Sequence, residues 1–259
     1  MSSTISSQRS NPWISCRKSK ETSKLRLFCL PYAGGSPLIY RKWGSRLHAA
    51  VEVCPVNLPG RSPRASEPSF VNLFDLSQAV GKGILPHCDK PFAVFGHSFG
   101  AMLAFEVARY LRRQHLNGPV HLFVSGRRAP QVPDEDPPTY NLPRDAFIQE
   151  LKRINGTPKE VLEHDELVEM FLPMIQADFQ ACQTYEFTPE PPLDCGITAF
   201  CGLTDDEETR ERVEPWREQT TRSFSLLELP GDHFFIHSSE DLLLQTMDRQ
   251  LQQLLRRLP

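Results

Sequence analysis

No apolar run in this 259-residue chain approaches the roughly 20 residues that a membrane-spanning helix needs, so no membrane partner is expected. Neither sign of charge is in excess. With 29 Lys and Arg against 32 Asp and Glu, the formal net charge is −3, and the pI is near 6.3. A nucleic-acid-binding domain usually has a basic face and a pI above about 9, so no nucleic acid is expected as a partner. The seven cysteines, Cys16, Cys29, Cys54, Cys88, Cys182, Cys195 and Cys201, are scattered and never spaced C-x-x-C. That spacing speaks against a disulfide framework and a zinc site, and for a reducing compartment, the cytoplasm. The H-E-x-x-H, EF-hand, dinucleotide and complete Walker patterns are all absent, so no metal and no nucleotide cofactor is implied. Without an internal repeat of 20 to 50 residues, solenoids and propellers are set aside.

What the chain does have is the composition of a globular protein: 39% hydrophobic and 24% charged residues, with a mean hydropathy of −0.38. Residues 1–24 are polar and serine-rich, with no acidic residue before Glu21. No apolar core of a secretory signal is present, and this stretch reads as a disordered tail. From residue 25 to 259, short apolar runs alternate with longer amphipathic ones, as in a mostly parallel sheet flanked by helices. Strands are expected at 25–30, 51–57, 91–96, 119–126, 196–202 and 223–231, and helices at 72–85, 99–114 and 239–258. The interval of about 127–192 interrupts the alternation. It is bounded by proline-rich linkers and holds helical patterns at 144–154 and 166–185, so it reads as an insertion into one α/β domain.

The strongest chemical signal is Gly96-His97-Ser98-Phe99-Gly100, placed where an apolar strand ends and a helix begins. In a G-x-S-x-G elbow the turn is so tight that only glycines fit beside the serine, whose hydroxyl projects above the sheet edge. A serine hydroxyl needs a base to take its proton, and the base needs a carboxylate behind it. His233 and its neighbour His237 follow the last strand. Asp205 and Asp206 follow the strand before it, at the same sheet edge, where such folds keep their reacting groups. The order serine, aspartate, histidine is that of the α/β-hydrolases, though spacing alone leaves Asp205 against Asp206 and His233 against His237 open. His97 should point away from the serine and pack on a neighbouring strand. Oxyanion donors are expected from the backbone N–H of Phe99 and from the loop 31–36 after the first strand.

With LPYAGGS (30–36), LPGR (58–61), FGHSFGAMLAFEVA (95–108), SGRRAP (125–130), LPMIQADFQACQTY (172–185), G-x-x-D (202–205) and LPGDHFF (229–235) in this order, the chain resembles the type II thioesterases. These are free-standing α/β-hydrolases of polyketide, nonribosomal peptide and fatty-acid synthesis. The resemblance implies Ser98 as nucleophile, Asp205 as acid, His233 as base, and the amides of Ala33 and Phe99 as oxyanion hole. It also makes the 127–192 insertion a helical lid over an acyl channel, with Phe147, Met170, Met174 and Phe179 as candidate lining residues. The implied substrate is an acyl thioester on the phosphopantetheine arm of an acyl or peptidyl carrier protein, so phosphopantetheine comes with the substrate and the enzyme acts as a monomer without a cofactor. Because such carriers are usually acidic, Arg127, Arg128, Lys152 and Arg153 are candidate docking charges. Two departures stand out: Gln176 where the family often has arginine, and Ser62-Pro63 after LPGR. Fold and elbow do not fix the acyl acceptor. A carboxylesterase or acyltransferase with the same triad is therefore an alternative, and a noncatalytic carrier-binding scaffold is an alternative of another class.

Overall fold

The computed structural model describes residues 11–15, 22–157 and 159–258. Six strands, β1 (Leu25–Leu30), β2 (Val51–Pro55), β3 (Phe92–His97), β4 (His121–Ser125), β5 (Gly196–Gly202) and β6 (Phe224–Leu229), form one sheet in the order β2-β1-β3-β4-β5-β6. Every pairing between them is parallel. Parallel strands need crossovers that cover both faces, which is why the interior strands are continuous apolar runs rather than alternating ones. Phe28, Leu30, Val94, Leu122, Val124, Ile197 and Ala199 pack on one side with helices α1 (Leu73–Ile84) and α2 (Phe99–Arg113). On the other side Leu27, Cys29, Phe95, Phe123 and Phe200 meet Tyr40 and Trp43 of two 3₁₀ turns.

The insertion contributes α3 (Arg144–Ile154), α4 (Lys159–Leu162) and α5 (Asp165–Gln183); beyond β5 come α6 (Arg210–Val213), α7 (Phe235–Ser238) and α8 (Glu240–Leu255). Phe235, Leu243, Met247 and Leu251 of α7 and α8 complete the second face of the sheet. The insertion has a small core of its own, with Phe147, Ile148, Leu151, Val168, Leu172, Met174 and Ile175 interlocked. Its exit is tied to α2. The Tyr185 hydroxyl donates to the buried Glu106 at 2.8 Å, and Glu190 pairs with Arg109, Arg112 and Arg113.

One expectation is corrected at the N-terminus, where residues 11–15 are not a disordered tail. Ile14 bridges Val56 in antiparallel fashion, Ser15 N–H donates to the Pro55 carbonyl at 3.0 Å, and Asn57 N–H donates to that of Trp13 at 2.8 Å. The Trp13 indole lies under the Arg64 guanidinium at 3.8 Å. A tryptophan and an isoleucine carry enough apolar surface to hold a strap on the body of the domain despite its polar surroundings. Residues 1–10 and 16–21 of that tail lie outside the described residues.

Candidate active site

Strand β3 delivers the chain to Ser98, whose φ of 53° and ψ of −120° lie outside the regions ordinary L-residues occupy. Backbone strain of this kind costs about 1–3 kcal/mol and persists only where the surroundings impose it. Here they do. A Cβ on Gly96 would lie 2.0 Å from the Gly100 carbonyl oxygen, and one on Gly100 would lie 2.4 Å from that of Leu30. The glycines let strand, helix and the neighbouring loop close on each other, and the serine hydroxyl is left at the sheet's C-terminal edge.

The loops after β5 and β6 bring two more side chains to that edge. His233 Nε2 stands 3.0 Å from Ser98 Oγ, and His233 Nδ1 stands 2.8 Å from Asp205 Oδ2. The carboxylate requires the proton on Nδ1, which leaves Nε2 as the acceptor facing the hydroxyl. The other oxygen of Asp205 accepts the backbone N–H of Glu207 at 3.1 Å and of Glu208 at 3.0 Å. Burial raises the Asp205 pKa, but the His233 bond and charge and these two amides outweigh it and hold the carboxyl below its ordinary value. Burial lowers the His233 pKa in turn, yet the bond and charge of Asp205, with the charges of Glu208 and Glu207, leave it raised.

The rivals stand elsewhere. Asp206 is exposed. His237 Nε2 lies 2.9 Å from the Tyr32 hydroxyl, its ring is stacked on Phe234, and burial lowers its pKa. His97 is fully buried, its Nδ1 lies 2.9 Å from Ser125 Oγ, and burial followed by the charges of His233 and His237 keeps it neutral well below its ordinary pKa.

A cavity of about 140 Å³ opens above Ser98, and Tyr32, Ala33, Phe99, His233 and Phe234 belong to its wall. Ala33 and Phe99, the expected oxyanion donors, thus line the same cavity as the serine. From the insertion come Leu151, Ile154 and Phe179, together with charged Arg127, Arg128, Asp134, Glu150 and Arg153. Of the four lining candidates named from the sequence, only Phe179 lines the cavity. Phe147 and Met174 are corrected, because both are buried within the insertion's own core, from which Met174 also reaches towards Gly60 of the 58–61 loop. Met170 is corrected too: at 68% exposure it points to solvent. Helical periodicity shows which face is covered and cannot tell what covers it.

The docking charges also need revision. Arg127 and Arg128 are turned inward onto buried Glu208, at 3.2 and 3.0 Å. Arg153 is exposed and pairs with Glu150 and Glu207, and Lys152 is exposed. Tyr32, Phe234, Glu207 and Glu208 were missed, although the GDHFF and TDDEE strings contain three of them. Among the described residues no group of three or more His, Cys, Asp or Glu is arranged to hold a metal ion, and no helix is long and apolar enough to cross a membrane.

Comparison with known proteins places the chain among relatives. A family model described as a thioesterase domain matches residues 25–251. The linear gramicidin dehydrogenase LgrE of Brevibacillus parabrevis is 43% identical over 243 residues, which make up 93% of this chain and 92% of that protein. RedJ, a thioesterase from the prodiginine pathway of Streptomyces coelicolor, superposes with a TM-score of 0.83 at 40% identity, over 88% of this chain and 90% of its own. BorB, a type II thioesterase from the borrelidin cluster, superposes with a TM-score of 0.85 at 33% identity, over 94% of this chain and 99% of its own.

Proposed function

The chain belongs to the thioesterase family, and from that membership we propose that it hydrolyses acyl thioesters carried on the phosphopantetheine arm of acyl or peptidyl carrier proteins, through Ser98, His233 and Asp205. The observation that supports this most is the placement of one imidazole within hydrogen-bond reach of both a strained serine and a buried carboxylate. Ser98 Oγ attacks the thioester carbonyl as His233 Nε2 takes its proton. The oxyanion is met by the N–H groups of Phe99 and Ala33, each worth about 3–4 kcal/mol in the transition state. Collapse expels the thiol, which receives the proton from His233 and leaves the acyl group on Ser98. Water then attacks that ester with His233 again as base, and the free acid departs. A thiol is a better leaving group than an alcohol or amine, so modest assistance suffices.

LgrE is named a dehydrogenase. Hydride transfer is not carried over to this chain, because the sequence has no dinucleotide fingerprint and Ser98, His233 and Asp205 are arranged for acyl transfer. RedJ and BorB are named for a biosynthetic pathway and a biosynthetic cluster, which supports a biosynthetic thioester as the substrate. In this reading the enzyme acts as a cytoplasmic monomer, with the exposed Lys152 and Arg153 beside the incoming acidic carrier. At the liquid share of about 30 Å³ per molecule, the cavity of about 140 Å³ has room for about five waters, so it suits an acyl group of a few carbons, and a decanoyl chain would require the insertion to shift. Purified protein is therefore expected to turn over acetyl- to hexanoyl-pantetheine faster than decanoyl-pantetheine, and faster than oxygen esters of equal length. Equal or faster turnover of the oxygen esters would favour a carboxylesterase. Ser98→Ala should abolish turnover, whereas a binding scaffold would be indifferent to it.

A further inference from the structure

We propose that Asp178 of α5 and its partner Arg61 are positioning residues, which hold the backbone turn carrying the Ala33 oxyanion donor. This inference rests on the reading of Ser98 as nucleophile and of Ala33 as a donor. Asp178 is 1% exposed, and both of its carboxylate oxygens are committed. Oδ1 accepts from Arg61 Nη2 at 2.6 Å, and Oδ2 accepts the backbone N–H of Gly34 at 2.8 Å. Arg61, equally secluded at 4%, donates from Nη1 to the Gly35 carbonyl at 3.2 Å. One buried ion pair thus grips the two residues that directly follow Ala33.

The segment it grips is a tight turn. Gly35 N–H donates to the Tyr32 carbonyl at 2.8 Å, and Gly34 sits at φ +72°, the value a type II turn demands at its third residue. Rotation of the central peptide would convert such a turn to type I and swing the Gly34 N–H away from Asp178. The bond to Oδ2 therefore selects one form. Ile175, three residues earlier on the same helix, presses on the same spot, since a Cβ on Gly34 would lie 3.0 Å from its Cγ1. The Tyr32–Ala33 peptide, whose N–H is to meet the oxyanion, is the unit of this turn directly before the central one. A donor already aimed needs no reorganisation as charge develops, which is the source of its catalytic value. Stability alone does not call for this device, because a well-packed apolar pair often replaces a buried ion pair without loss. The pair also joins the insertion to the core, so the oxyanion hole is complete only with α5 in place.

The test compares R61M/D178N with R61M/D178L, two neutral pairs of similar shape that leave no buried charge unmatched. The asparagine oxygen can still accept the Gly34 N–H, and leucine cannot. With a butyryl-pantetheine substrate, the asparagine variant is expected to retain kcat about 10²-fold above the leucine variant, with KM equal between them. Affinity for a trifluoromethyl ketone bearing the same acyl chain should fall in step with kcat/KM, while affinity for the unreactive thioether stays level. Equal kcat in the two variants, or a difference confined to KM, would overturn the inference. The wild-type protein supplies a check that does not depend on variants folding. The Gly34 amide should exchange slowly with solvent in the trifluoromethyl ketone complex, and fast exchange there would also overturn it. Undiminished turnover by Ser98→Ala would bring down the functional reading and this inference with it. Loss of turnover in Ser98→Ala, with equal kcat in the two double variants, would bring down this inference alone.

Discussion

His233 is the residue on which the chemistry turns, and its raised pKa can be read in rate. It must be neutral at Nε2 to accept the serine proton, so kcat/KM should rise with pH along a limb whose midpoint lies above the ordinary histidine value of about 6.5. Asp205→Asn removes the main opposition to burial. It should shift that limb to lower pH and cut kcat by about 10⁴-fold through loss of the imidazole's orientation, while exposed Asp206→Asn stays near wild type. Equal losses at the two positions would contradict the assignment. The linkage to folding has opposite signs for the partners. The stabilisation from charged His233 is full below its unfolded pKa and is lost as pH rises through its raised folded value. That from Asp205 is present above its unfolded pKa and is lost as pH falls through its lowered folded value. At this scale the sequence was most legible for Ser98, since the elbow glycines bracket it. The choice between the adjacent aspartates depends on which one turns into the domain, and local spacing carries no such information.

At the scale of elements, the strands and long helices lie within a few residues of where apolar runs and periodicity put them. The agreement has a physical basis: strands covered on both faces can carry few polar residues, and those only with a partner, as Arg26 with Glu52 and His121 with Thr198, and a 3.6-residue stripe is hard to imitate by chance. The partners of the insertion's faces were not legible. Phe147, Met174 and Phe179 all pack in or against the insertion's core, yet Met174 also reaches the 58–61 loop, and of the three Phe179 alone lines the cavity. Nor did the arginines of SGRRAP announce that they turn inward. Glu208 accepts both Arg127 and Arg128 beneath the surface, so Glu208→Gln should destabilise the protein by about 3 kcal/mol by removing the carboxylate that Arg127 faces, while Arg128 keeps Asp134. Arg153→Ala, which removes exposed pairs to Glu150 and Glu207, should cost under about 1 kcal/mol. Urea denaturation of the two variants decides this, and similar midpoints would refute the distinction between buried and exposed pairs.

Over the whole molecule, the site is a meeting of segments distant along the chain, held by one sheet edge. Deletion of residues 1–15 tests how far this body extends toward the N-terminus. Loss of Trp13 from beneath Arg64, and of the Ile14 bridge, should cost about 2 kcal/mol and lower Tm by about 5 °C, whereas an unchanged Tm would mean that the strap is passive. Its order was hidden in the sequence because two apolar residues sit among serines and basic groups, and only the surface they meet makes them structural. The central claim is that acyl transfer passes through Ser98, and the measurement nearest to it is rapid-quench mass spectrometry of the full-length protein mixed with an acyl-phosphopantetheinyl carrier protein. The acyl mass is expected on the peptide containing Ser98 before free acid appears. Acid released with no acyl-enzyme at any time, or an acyl group on another residue, would contradict the account.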